Sequence, residues 1–144
     1  MILGIGTDLV AIPEFARQMS APGTQFGNAF SPAEHRAVAR RARETGDEGQ
    51  HFAARWAAKE AFVKAWSAAV AGKPPVVDPA TFPWGQVEVS SDAWGRPALR
   101  VSGQLWRQVV ASTLPGEVSG VRAHLSLSHD GAMATAVVIL ERVE

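Results

Sequence analysis

The chain has 144 residues, of which 47% are hydrophobic and 19% charged, and this composition predicts a folded globular protein with a single domain over residues 1–144. The 14 basic and 14 acidic residues cancel, so no overall field favours nucleic acid or an anionic membrane as a partner. Cysteine is absent, which excludes disulfides and thiolate chemistry and favours a cytoplasmic location.

The N-terminal segment is apolar, with Gly4 and Gly6 inside it, and we predict a strand over residues 2–8. Pro13 favours the first turn of a helix soon afterwards, which places Asp8 at a strand-to-helix corner. The segment has no basic leader, and no later run of the sequence reaches membrane-spanning length. We therefore expect neither export nor membrane insertion.

A capping box marks the start of the second helix. Ser31 is a good N-cap residue and Glu34 stands three positions later, so we predict a helix over residues 32–43. The remaining predicted elements are a loop over residues 44–50, a long alanine-rich helix over 52–70, a proline-rich irregular connection over 72–84, a hairpin with strands at 87–89 and 98–101, a short helix over 104–112, and strands at 124–128 and 134–140. This order predicts one copy of an α+β fold, in which a small antiparallel sheet packs on a long central helix.

The long helix carries three cations and one carboxylate within three turns. Arg55 and Lys59 lie four residues apart on one stripe of the helix. Glu60 and Lys64 lie on a neighbouring stripe with Trp56, which we interpret as the buried face. A carboxylate at such a position requires a partner, and an ordinary i,i+4 ion pair between Glu60 and Lys64 is the simplest one.

Asp8 is the second carboxylate of interest, because it directly follows an apolar strand. By itself such a residue is more often a helix cap. If Asp8 and Glu60 converge, their oxygens suit Mg²⁺, which typically takes one or two protein carboxylates together with substrate phosphates. Lys64 and Arg55 would then hold the rest of a polyphosphate. The spacing alone does not decide between these two interpretations.

A third group of polar residues stands at the end of a predicted strand near the C-terminus. Alternation places His129 on the face of Leu125 and Leu127 and directs Asp130 to the other face. A histidine at a strand end is a reasonable general base, although a structural role is the more common one. Ser128 precedes His129, but the chain contains no Gly-x-Ser-x-Gly nucleophile elbow, which argues against a serine hydrolase.

Four motifs, taken in this order and spacing, resemble the family of holo-acyl-carrier-protein synthases, the small stand-alone phosphopantetheinyl transferases. These motifs are IGTDLV at residues 5–10, FAARWAAKEAFVKA at 52–65, GRP at 95–97 and LSLSH at 125–129. The resemblance runs nearly from end to end of the chain. It implies the α+β fold of that family, with one copy per chain.

The resemblance also implies a set of site residues. Asp8 and Glu60 would hold Mg²⁺ together with the pyrophosphate of coenzyme A, Lys64 would reach a phosphate, and Arg55 would support it. Gly95 and Pro97 would border the nucleotide, and Ser128 and His129 would line the site. His129 is implied to bind coenzyme A or to aid proton transfer, with Asp130 a secondary catalytic candidate.

The activity implied by the resemblance is transfer of the 4′-phosphopantetheine group from coenzyme A to a serine of an acyl carrier protein, or of a carrier domain of a fatty acid synthase. The products are the holo-carrier, needed for fatty acid biosynthesis, and adenosine 3′,5′-bisphosphate. The residues do not decide whether His129, Asp130, Glu60 or a metal-bound water removes the serine proton. Family members of this length imply a homotrimer with each site between two subunits.

Two features depart from the family pattern. Glu14 stands where many relatives carry an arginine that faces the acidic carrier, and the connection over residues 72–84 is longer and richer in proline. Alternative basic contacts for the carrier are Arg17 and the four arginines within residues 36–43. The simplest interpretation of these four arginines, however, is a basic helix face exposed to solvent. On that hypothesis, Arg40→Glu with Arg41→Glu raises the Michaelis constant for the carrier and spares that for coenzyme A.

Two other classes of function stay open at this point. The same cations would serve a coenzyme A or nucleotide-binding module without transferase activity, and the chain could instead be a structural trimeric partner of a large synthase. A transferase of this kind requires magnesium and fails when Glu60 becomes glutamine. A binding module needs no metal, and a structural partner is indifferent to both coenzyme A and metal.

Overall fold

The fold consists of a long helix packed against a three-stranded antiparallel sheet, with a separate hairpin beside them. The computed structural model describes residues 1–116 and 120–144. Its elements are, in chain order, β1 (Ile2–Ala11), α1 (Ile12–Ser20), α2 (Pro32–Thr45), α3 (Glu48–Ala69), β2 (Val87–Ser91), β3 (Pro97–Val101), α4 (Gly103–Thr113), β4 (Gly120–Asp130) and β5 (Met133–Val143), with short 3-10 turns at Phe26–Ala29, Pro79–Thr81 and Trp84–Gln86. The sheet has the order β1-β5-β4, and β2 and β3 form a second, two-stranded sheet. The predicted α+β fold with a small antiparallel sheet is therefore confirmed.

Helix α3 lies unusually close to strand β1 because glycine and alanine face each other. A Cβ atom added to Gly4 would lie 2.1 Å from the carbonyl oxygen of Ala65, and one added to Gly6 would lie 2.0 Å from that of Ala61. Ala61 and Ala65 are fully buried. Only glycine in the strand allows this approach of two backbones. The contact sets the position of the α3 side chains relative to those of β1.

Strand β1 continues beyond its predicted end, and the expected corner at Asp8 is wrong. Asp8 lies inside the strand opposite Ala136, and pairing continues to Ala11 opposite Met133. Helix α1 starts only after Ala11, with a proline in its first turn. The pairing partner β5 is long enough to extend the ladder, so the predicted strand and the three apolar residues that follow it form one strand.

The loop predicted over residues 44–50 is also wrong, because two helices nearly meet there. Gly46 adopts a left-handed conformation with φ 71° and ends α2. The side chain of Asp47 accepts a hydrogen bond from the backbone N–H of Gln50 and caps α3. One glycine and one aspartate therefore suffice for the connection, as their conformational preferences allow. The capping box of Ser31 and Glu34 at the start of α2 is confirmed.

A buried ion pair fastens the β2–β3 hairpin to the helices. Lys59 Nζ lies 2.7 Å from Glu34 Oε1, and both side chains have no exposed surface. Lys59 also donates to the carbonyl oxygens of Trp84 and Val87. The second oxygen of Glu34 accepts from the backbone N–H of Val89 at 3.1 Å. Every charge in the pair is thus compensated by hydrogen bonds, as burial of two charges requires.

The remaining predicted elements are confirmed, with small changes in their ends. The β2–β3 hairpin, α4 and the β4–β5 hairpin are present, and the strands of the last hairpin are longer than predicted. The proline-rich connection is irregular apart from two short 3-10 turns. None of the helices in the described part of the chain is long and apolar enough to cross a membrane.

The sheet face that points away from α3 is apolar and uncovered in the single chain. Ile5, Leu9 and Val137 lie on this face, with 52%, 64% and 36% of their surface exposed. Ile5 pairs with Ile139 and Leu9 with Thr135, and the row of Val137, which pairs with Thr7, lies between them. This contrasts with the opposite face, where Ala134, Ala136 and similar residues of β5 are fully buried against α3.

Candidate functional site

The first group of predicted site residues meets between β1 and α3. Asp8, Glu60 and Lys64 line one pocket, together with Trp56 and three residues of α1; we call it the acidic pocket. Lys64 Nζ donates a hydrogen bond to Asp8 Oδ1 at 2.9 Å. Lys64 is therefore paired with Asp8 across the helix–strand contact, and the simple i,i+4 pair with Glu60 is wrong.

Two carboxylates share the acidic pocket with one lysine. Burial raises the pKa of Glu60, and the nearby negative charge of Asp8 raises it further, while Lys64 opposes both effects. Asp8 is mostly buried and Lys64 is half-exposed, with side-chain exposures of 15% and 54%. The convergence of Asp8 and Glu60, left open by the sequence, is present in the structure. Another cation beside them would favour the charged form of Glu60.

The donor set of this pocket fits a hard divalent cation. Within residues 1–116 and 120–144, no group of three or more His, Cys, Asp or Glu side chains is arranged to hold a metal by itself. Mg²⁺ differs from Zn²⁺ in this respect, because it usually takes one or two carboxylates and completes its shell with water and substrate phosphates. Asp8 and Glu60 supply that number of carboxylates, and their mutual repulsion is what a cation relieves.

The second group of predicted site residues lines a different pocket. Its lining includes Arg40 and Arg41 from α2, His51 and Arg55 from α3, Asp92, Gly95 and Pro97 from the hairpin, and Ser128 and His129 from β4; we call it the basic pocket. Five of these residues, Arg55, Gly95, Pro97, Ser128 and His129, are those implied by the resemblance. The structure brings them together although they come from three separate parts of the chain.

The β2–β3 turn forms one wall of the basic pocket. Gly95 has φ 79° and donates its N–H to the carbonyl oxygen of Asp92 at 3.0 Å. The carboxylate of Asp92 accepts from the backbone N–H groups of Trp94 and Arg96 and from the Arg96 side chain. Arg41 reaches this turn, since its Nη1 lies 3.8 Å from where a Cβ on Gly95 would be. The position requires glycine for its backbone conformation.

Arg55 is almost fully buried at the floor of the basic pocket. It is 7% exposed, and its Nη1 donates to the carbonyl oxygen of His51 at 3.1 Å. Its Nε is buried and has no hydrogen-bond partner in the described part of the chain. Burial lowers the pKa of Arg55, and Glu34 opposes the change. Arginine nevertheless stays protonated in proteins, so the pocket contains a charge that is incompletely compensated.

His51, Arg40 and Arg41 belong to the basic pocket but were not predicted as site residues. His51 Nε2 lies 2.8 Å from Thr45 Oγ1. Burial lowers the pKa of His51, and the charges of Arg55 and Arg41 lower it further. The i,i+4 spacing of His51 and Arg55 was the available signal. The spacing of the arginines on α2 fits a solvated face or a contact for the carrier equally well, so it does not indicate that Arg40 and Arg41 line this pocket.

The two pockets have no lining residue in common. Both lie on α3, but Arg55 and Glu60 are five residues apart and so project about 140° from each other around the helix axis. His129 pairs with the buried Ala134 and Asp130 with the exposed Met133, which fits the predicted alternation. Asp130 is exposed at the strand end and lines neither pocket. One chain therefore presents two separate pockets.

The proline-rich connection borders the acidic pocket from the far side of Glu60. Glu60 also lines an apolar groove between α3 and this connection, with Trp66 on the helix side and Val77 and Phe82 on the other. Trp84 lies at the end of the connection, with its ring centroid 4.6 Å from that of Trp56. The connection over residues 72–84 is thus adjacent to a predicted site residue.

Comparison with known proteins adds family information to this geometry. A family model described as the 4′-phosphopantetheinyl transferase superfamily matches residues 4–128. A holo-[acyl-carrier-protein] synthase from Corynebacterium efficiens is 46% identical over 139 residues, covering 96% of this chain and 94% of that protein. One from Mycolicibacterium smegmatis is 41% identical over 143 residues, covering 97% of both.

The fold of this chain is also similar to solved structures of acyl carrier protein synthases. The ACPS–coenzyme A complex of Chronobacterium ammoniagenes aligns with a TM-score of 0.85 at 45% identity, over 97% of both chains. The acyl carrier protein synthase of Mycobacterium tuberculosis aligns with a TM-score of 0.73 at 37% identity, over 99% of both chains. The similarity therefore includes all of the elements that form the two pockets.

Proposed function

This chain belongs to the 4′-phosphopantetheinyl transferase superfamily, and we propose that it transfers the 4′-phosphopantetheine group of coenzyme A to a serine of an acyl carrier protein. The observation that carries the proposal is the acidic pocket, in which Asp8, Glu60 and Lys64 meet. Together with the basic pocket it offers the charges that a substrate with three phosphates requires. A purely structural trimeric partner would have no use for either arrangement.

Asp8 and Glu60 are the residues that would hold Mg²⁺, whose role when bound is to neutralise negative charge on the phosphate oxygens. Lys64 already lies 2.9 Å from Asp8, and its half-exposed ammonium group can turn to a phosphate of the substrate. Phosphoryl transfer is accelerated mainly by positioning and charge neutralisation. The acidic pocket is therefore the proposed place of bond making and breaking.

The reaction balances without any nucleophile from this chain. The hydroxyl oxygen of the carrier serine forms a bond to the phosphorus that carries pantetheine. The bond from that phosphorus to the bridging oxygen breaks, and adenosine 3′,5′-bisphosphate leaves with the bridging oxygen and its electron pair. The serine proton passes to a base. The absence of a nucleophile elbow from the sequence agrees with this division of roles.

The candidates for the base are His129, Asp130, Glu60 and a metal-bound water. The raised pKa of Glu60 belongs to the chain without a metal and would fall with Mg²⁺ beside it, so it does not select Glu60 among them. His129 lies in the basic pocket, and Asp130 lines neither pocket. We assign His129, with Arg55, Gly95, Pro97 and Ser128, to binding of coenzyme A.

We further propose a homotrimer in which each site lies between two subunits. The uncovered apolar face with Ile5, Leu9 and Val137 is of the kind that association covers. The two pockets face different directions on one chain, so the acidic pocket of one subunit and the basic pocket of its neighbour can form one complete site. Closed rings of identical subunits generate such shared sites from a single kind of contact.

The carrier is either a stand-alone acyl carrier protein or a carrier domain of a fatty acid synthase, and we place the activity in fatty acid biosynthesis and in the cytoplasm. The absence of cysteine fits a reducing compartment. All 144 residues are assigned to one transferase domain.

Intact-mass spectrometry of apo-carriers tests the proposal. A stand-alone acyl carrier protein and an excised synthase domain are each incubated with this protein, coenzyme A and magnesium. We expect a gain of one phosphopantetheine on the carrier serine, and its loss when a chelator is present. The carrier modified faster is the preferred one. Binding of coenzyme A without any gain in carrier mass would instead support the binding-module interpretation.

A further inference from the structure

Resting on the proposed function, we propose that Lys59 is a positioning residue for the donor, which acts together with Glu34 from outside the basic pocket. Neither side chain lines that pocket, and neither has exposed surface, so neither can contact coenzyme A. The pair instead holds α2, α3 and the β2–β3 hairpin in the arrangement that gives the pocket its walls. Its loss should weaken the binding of coenzyme A and leave the rate of transfer from bound coenzyme A nearly unchanged.

Stability alone does not account for the burial of this pair. Burial lowers the pKa of Lys59, while the charge of Glu34 and its hydrogen bond raise it. The desolvation of two charges offsets much of their attraction, and an apolar pair of similar volume is often at least as stabilising. An apolar pair lacks directed hydrogen bonds, however, and such bonds fix the elements that they join in one arrangement.

The ion pair joins the two helix faces that carry cations of the basic pocket. Glu34 and Arg41 lie seven residues apart on α2, nearly two turns, and so share a face of that helix. Lys59 and Arg55 lie four residues apart and share a face of α3. Arg41 and Arg55 line the basic pocket, and Lys59 Nζ lies 2.7 Å from Glu34 Oε1. The pair therefore sets the distance between these two faces.

The same pair holds strand β2 by its backbone. Lys59 donates to the carbonyl oxygen of Val87, and Glu34 Oε2 accepts from the backbone N–H of Val89 at 3.1 Å. Val89 lines the basic pocket, and β2 ends two residues later, before the turn that includes Gly95. The hairpin wall of the pocket is therefore fixed relative to both helices.

Every donor of the Lys59 ammonium group is used in this arrangement. A lysine ammonium group has three N–H donors, and that of Lys59 bonds to Glu34, to the carbonyl oxygen of Val87 and to the carbonyl oxygen of Trp84, the last at 3.1 Å. Trp84 begins the 3-10 turn that leads directly into β2. Methionine is similar to lysine in length but has no donor, so it would release both backbone carbonyl groups.

A serine extends the network to one more residue of β2. Ser31 Oγ accepts from the backbone N–H of Glu34 at 3.1 Å and donates to Glu88 Oε2 at 2.6 Å. Ser31 is the N-cap of α2, so the start of this helix is also joined to the strand. Three consecutive residues of β2, Val87, Glu88 and Val89, thus bond to the network.

Steady-state kinetics of a charge-neutral variant tests this inference. Lys59→Met with Glu34→Gln removes both buried charges together, so it should unfold at a higher temperature than Lys59→Met alone, in which an unpaired carboxylate stays buried. We expect the Michaelis constant for coenzyme A to rise about tenfold or more, as the loss of one hydrogen bond to a charged group gives. The kcat at saturating coenzyme A should change by less than about twofold, because Asp8, Glu60 and Lys64 are retained.

A matched control removes the same two charges from the surface. Arg107→Gln with Glu44→Gln also deletes one cation and one anion, but both residues are exposed and neither lines the acidic or the basic pocket. This control should keep the wild-type kinetic constants. Ser31→Ala removes the cap of α2 and the link to Glu88 but keeps the ion pair, so it should raise the Michaelis constant for coenzyme A by a smaller factor than the charge-neutral variant.

Two kinetic results would overturn the inference and leave the proposed function intact. One is a folded charge-neutral variant with a wild-type Michaelis constant for coenzyme A, which would limit the pair to a role in stability. The other is a fall in kcat with an unchanged Michaelis constant, which would place the effect in the acidic pocket.

Amide hydrogen exchange tests the positioning itself, without carrier or coenzyme A. In Ser31→Ala, peptides from residues 87–101 should exchange at least about threefold faster than in the wild type, as the loss of one buried hydrogen bond allows. Peptides from β5 should not change. Faster exchange of the hairpin supports the inference even if no carrier is modified. Unchanged exchange of the hairpin in Ser31→Ala contradicts it, even if the wild type transfers phosphopantetheine.

Discussion

Residues of the same helix, α3, line the acidic and the basic pocket, but the charges of the two pockets have opposite effects on a phosphate group. In the acidic pocket, Asp8 and Glu60 repel phosphate unless a metal cation lies between them. In the basic pocket, Arg40, Arg41 and Arg55 can bind an anion directly. In the proposed function, this division separates the pocket where bonds are made and broken from the pocket that binds coenzyme A. Each pocket is therefore open to a variant that damages one role and spares the other.

Glu60→Gln should give the largest effect on activity. It removes one of the two carboxylates that fit a cation, so we expect kcat to fall by at least about a hundredfold, the range found when one stabilising group is lost from a transition state. Glu44→Gln, on the exposed part of α2, is the control. Transfer is measured by carrier mass at saturating coenzyme A. A kcat within twofold of wild type would remove Glu60 from the site.

The same variant has a predicted effect on stability, which excludes unfolding as the cause of its inactivity. Burial and Asp8 raise the pKa of Glu60, so ionised Glu60 destabilises the folded metal-free protein as the pH rises through that pKa. At neutral pH, Glu60→Gln should therefore unfold at the same temperature as wild type or higher. A lower unfolding temperature without metal would contradict this electrostatic account.

Lys59→Met should give the largest effect on stability. It leaves Glu34 buried without its partner, and breaking a buried pair costs about 3–5 kcal/mol. Lys64→Met is the matched control on the same helix, because its pair with Asp8 is half-exposed and such pairs contribute at most about 1 kcal/mol. Urea unfolding of both variants gives the comparison. Equal losses of unfolding free energy in the two variants would mean that the buried pair of Lys59 and Glu34 is no more stabilising than the half-exposed pair of Lys64 and Asp8.

Gly6→Ala tests the close contact that aligns the acidic pocket. The added Cβ would lie 2.0 Å from the carbonyl oxygen of Ala61, so α3 must move, at a cost of about 1–3 kcal/mol. The movement separates Asp8 from Glu60, so kcat should fall together with stability. Gly85→Ala is the control, because no atom lies within 4 Å of its added Cβ. An unchanged kcat in Gly6→Ala would show that the contact between β1 and α3 does not determine the geometry of the acidic pocket.

The smallest expected effect is a dependence of stability on pH. The pKa of His51 is lowered in the folded chain from its ordinary value of 6.5, so the unfolded chain binds more protons below that value. This contribution to the free energy of unfolding is complete above pH 6.5 and decreases as the pH falls towards the lowered pKa. His51→Asn should flatten the curve of unfolding free energy between pH 7.5 and 5.5. An unchanged slope would exclude His51 as its source.

The sequence predicts most of the fold through local signals. The capping box of Ser31 and Glu34 starts α2, and the turn residues from Asp92 to Gly95 close the hairpin, because each acts within a few residues. The prediction of a loop over residues 44–50 is wrong because the local signal there is too short to distinguish two helix ends from a loop. There Gly46 and Asp47 complete two helix ends in two residues, and a polar composition does not reveal so short a connection.

The candidate site depends on contacts between distant residues, so less of it is predictable. Asp8 and Glu60 meet because glycines of β1 let α3 approach, which residue spacing cannot specify, and only the family resemblance linked them beforehand. The helical spacing of α3 does not reveal that Lys59 is fully buried, because its partner Glu34 lies on another helix. The arginine run on α2 has the same appearance whether it faces solvent or a pocket.

In the proposed trimer, the acidic pocket of one subunit and the basic pocket of its neighbour form one transferase site. Mixed trimers test it directly. One subunit carries Glu60→Gln, and the other carries Arg41→Glu with His129→Glu. The subunits have different affinity tags, so that trimers containing both can be purified in sequence and their composition checked by native mass spectrometry.

In any mixed trimer, only one of the three interfaces joins an intact acidic pocket to an intact basic pocket. We therefore predict that each parent protein is inactive and that the mixed trimers transfer phosphopantetheine at about a third of the wild-type rate. Mixed trimers of confirmed composition that remain as inactive as their parents would contradict the shared site, because each chain would then need both of its own pockets.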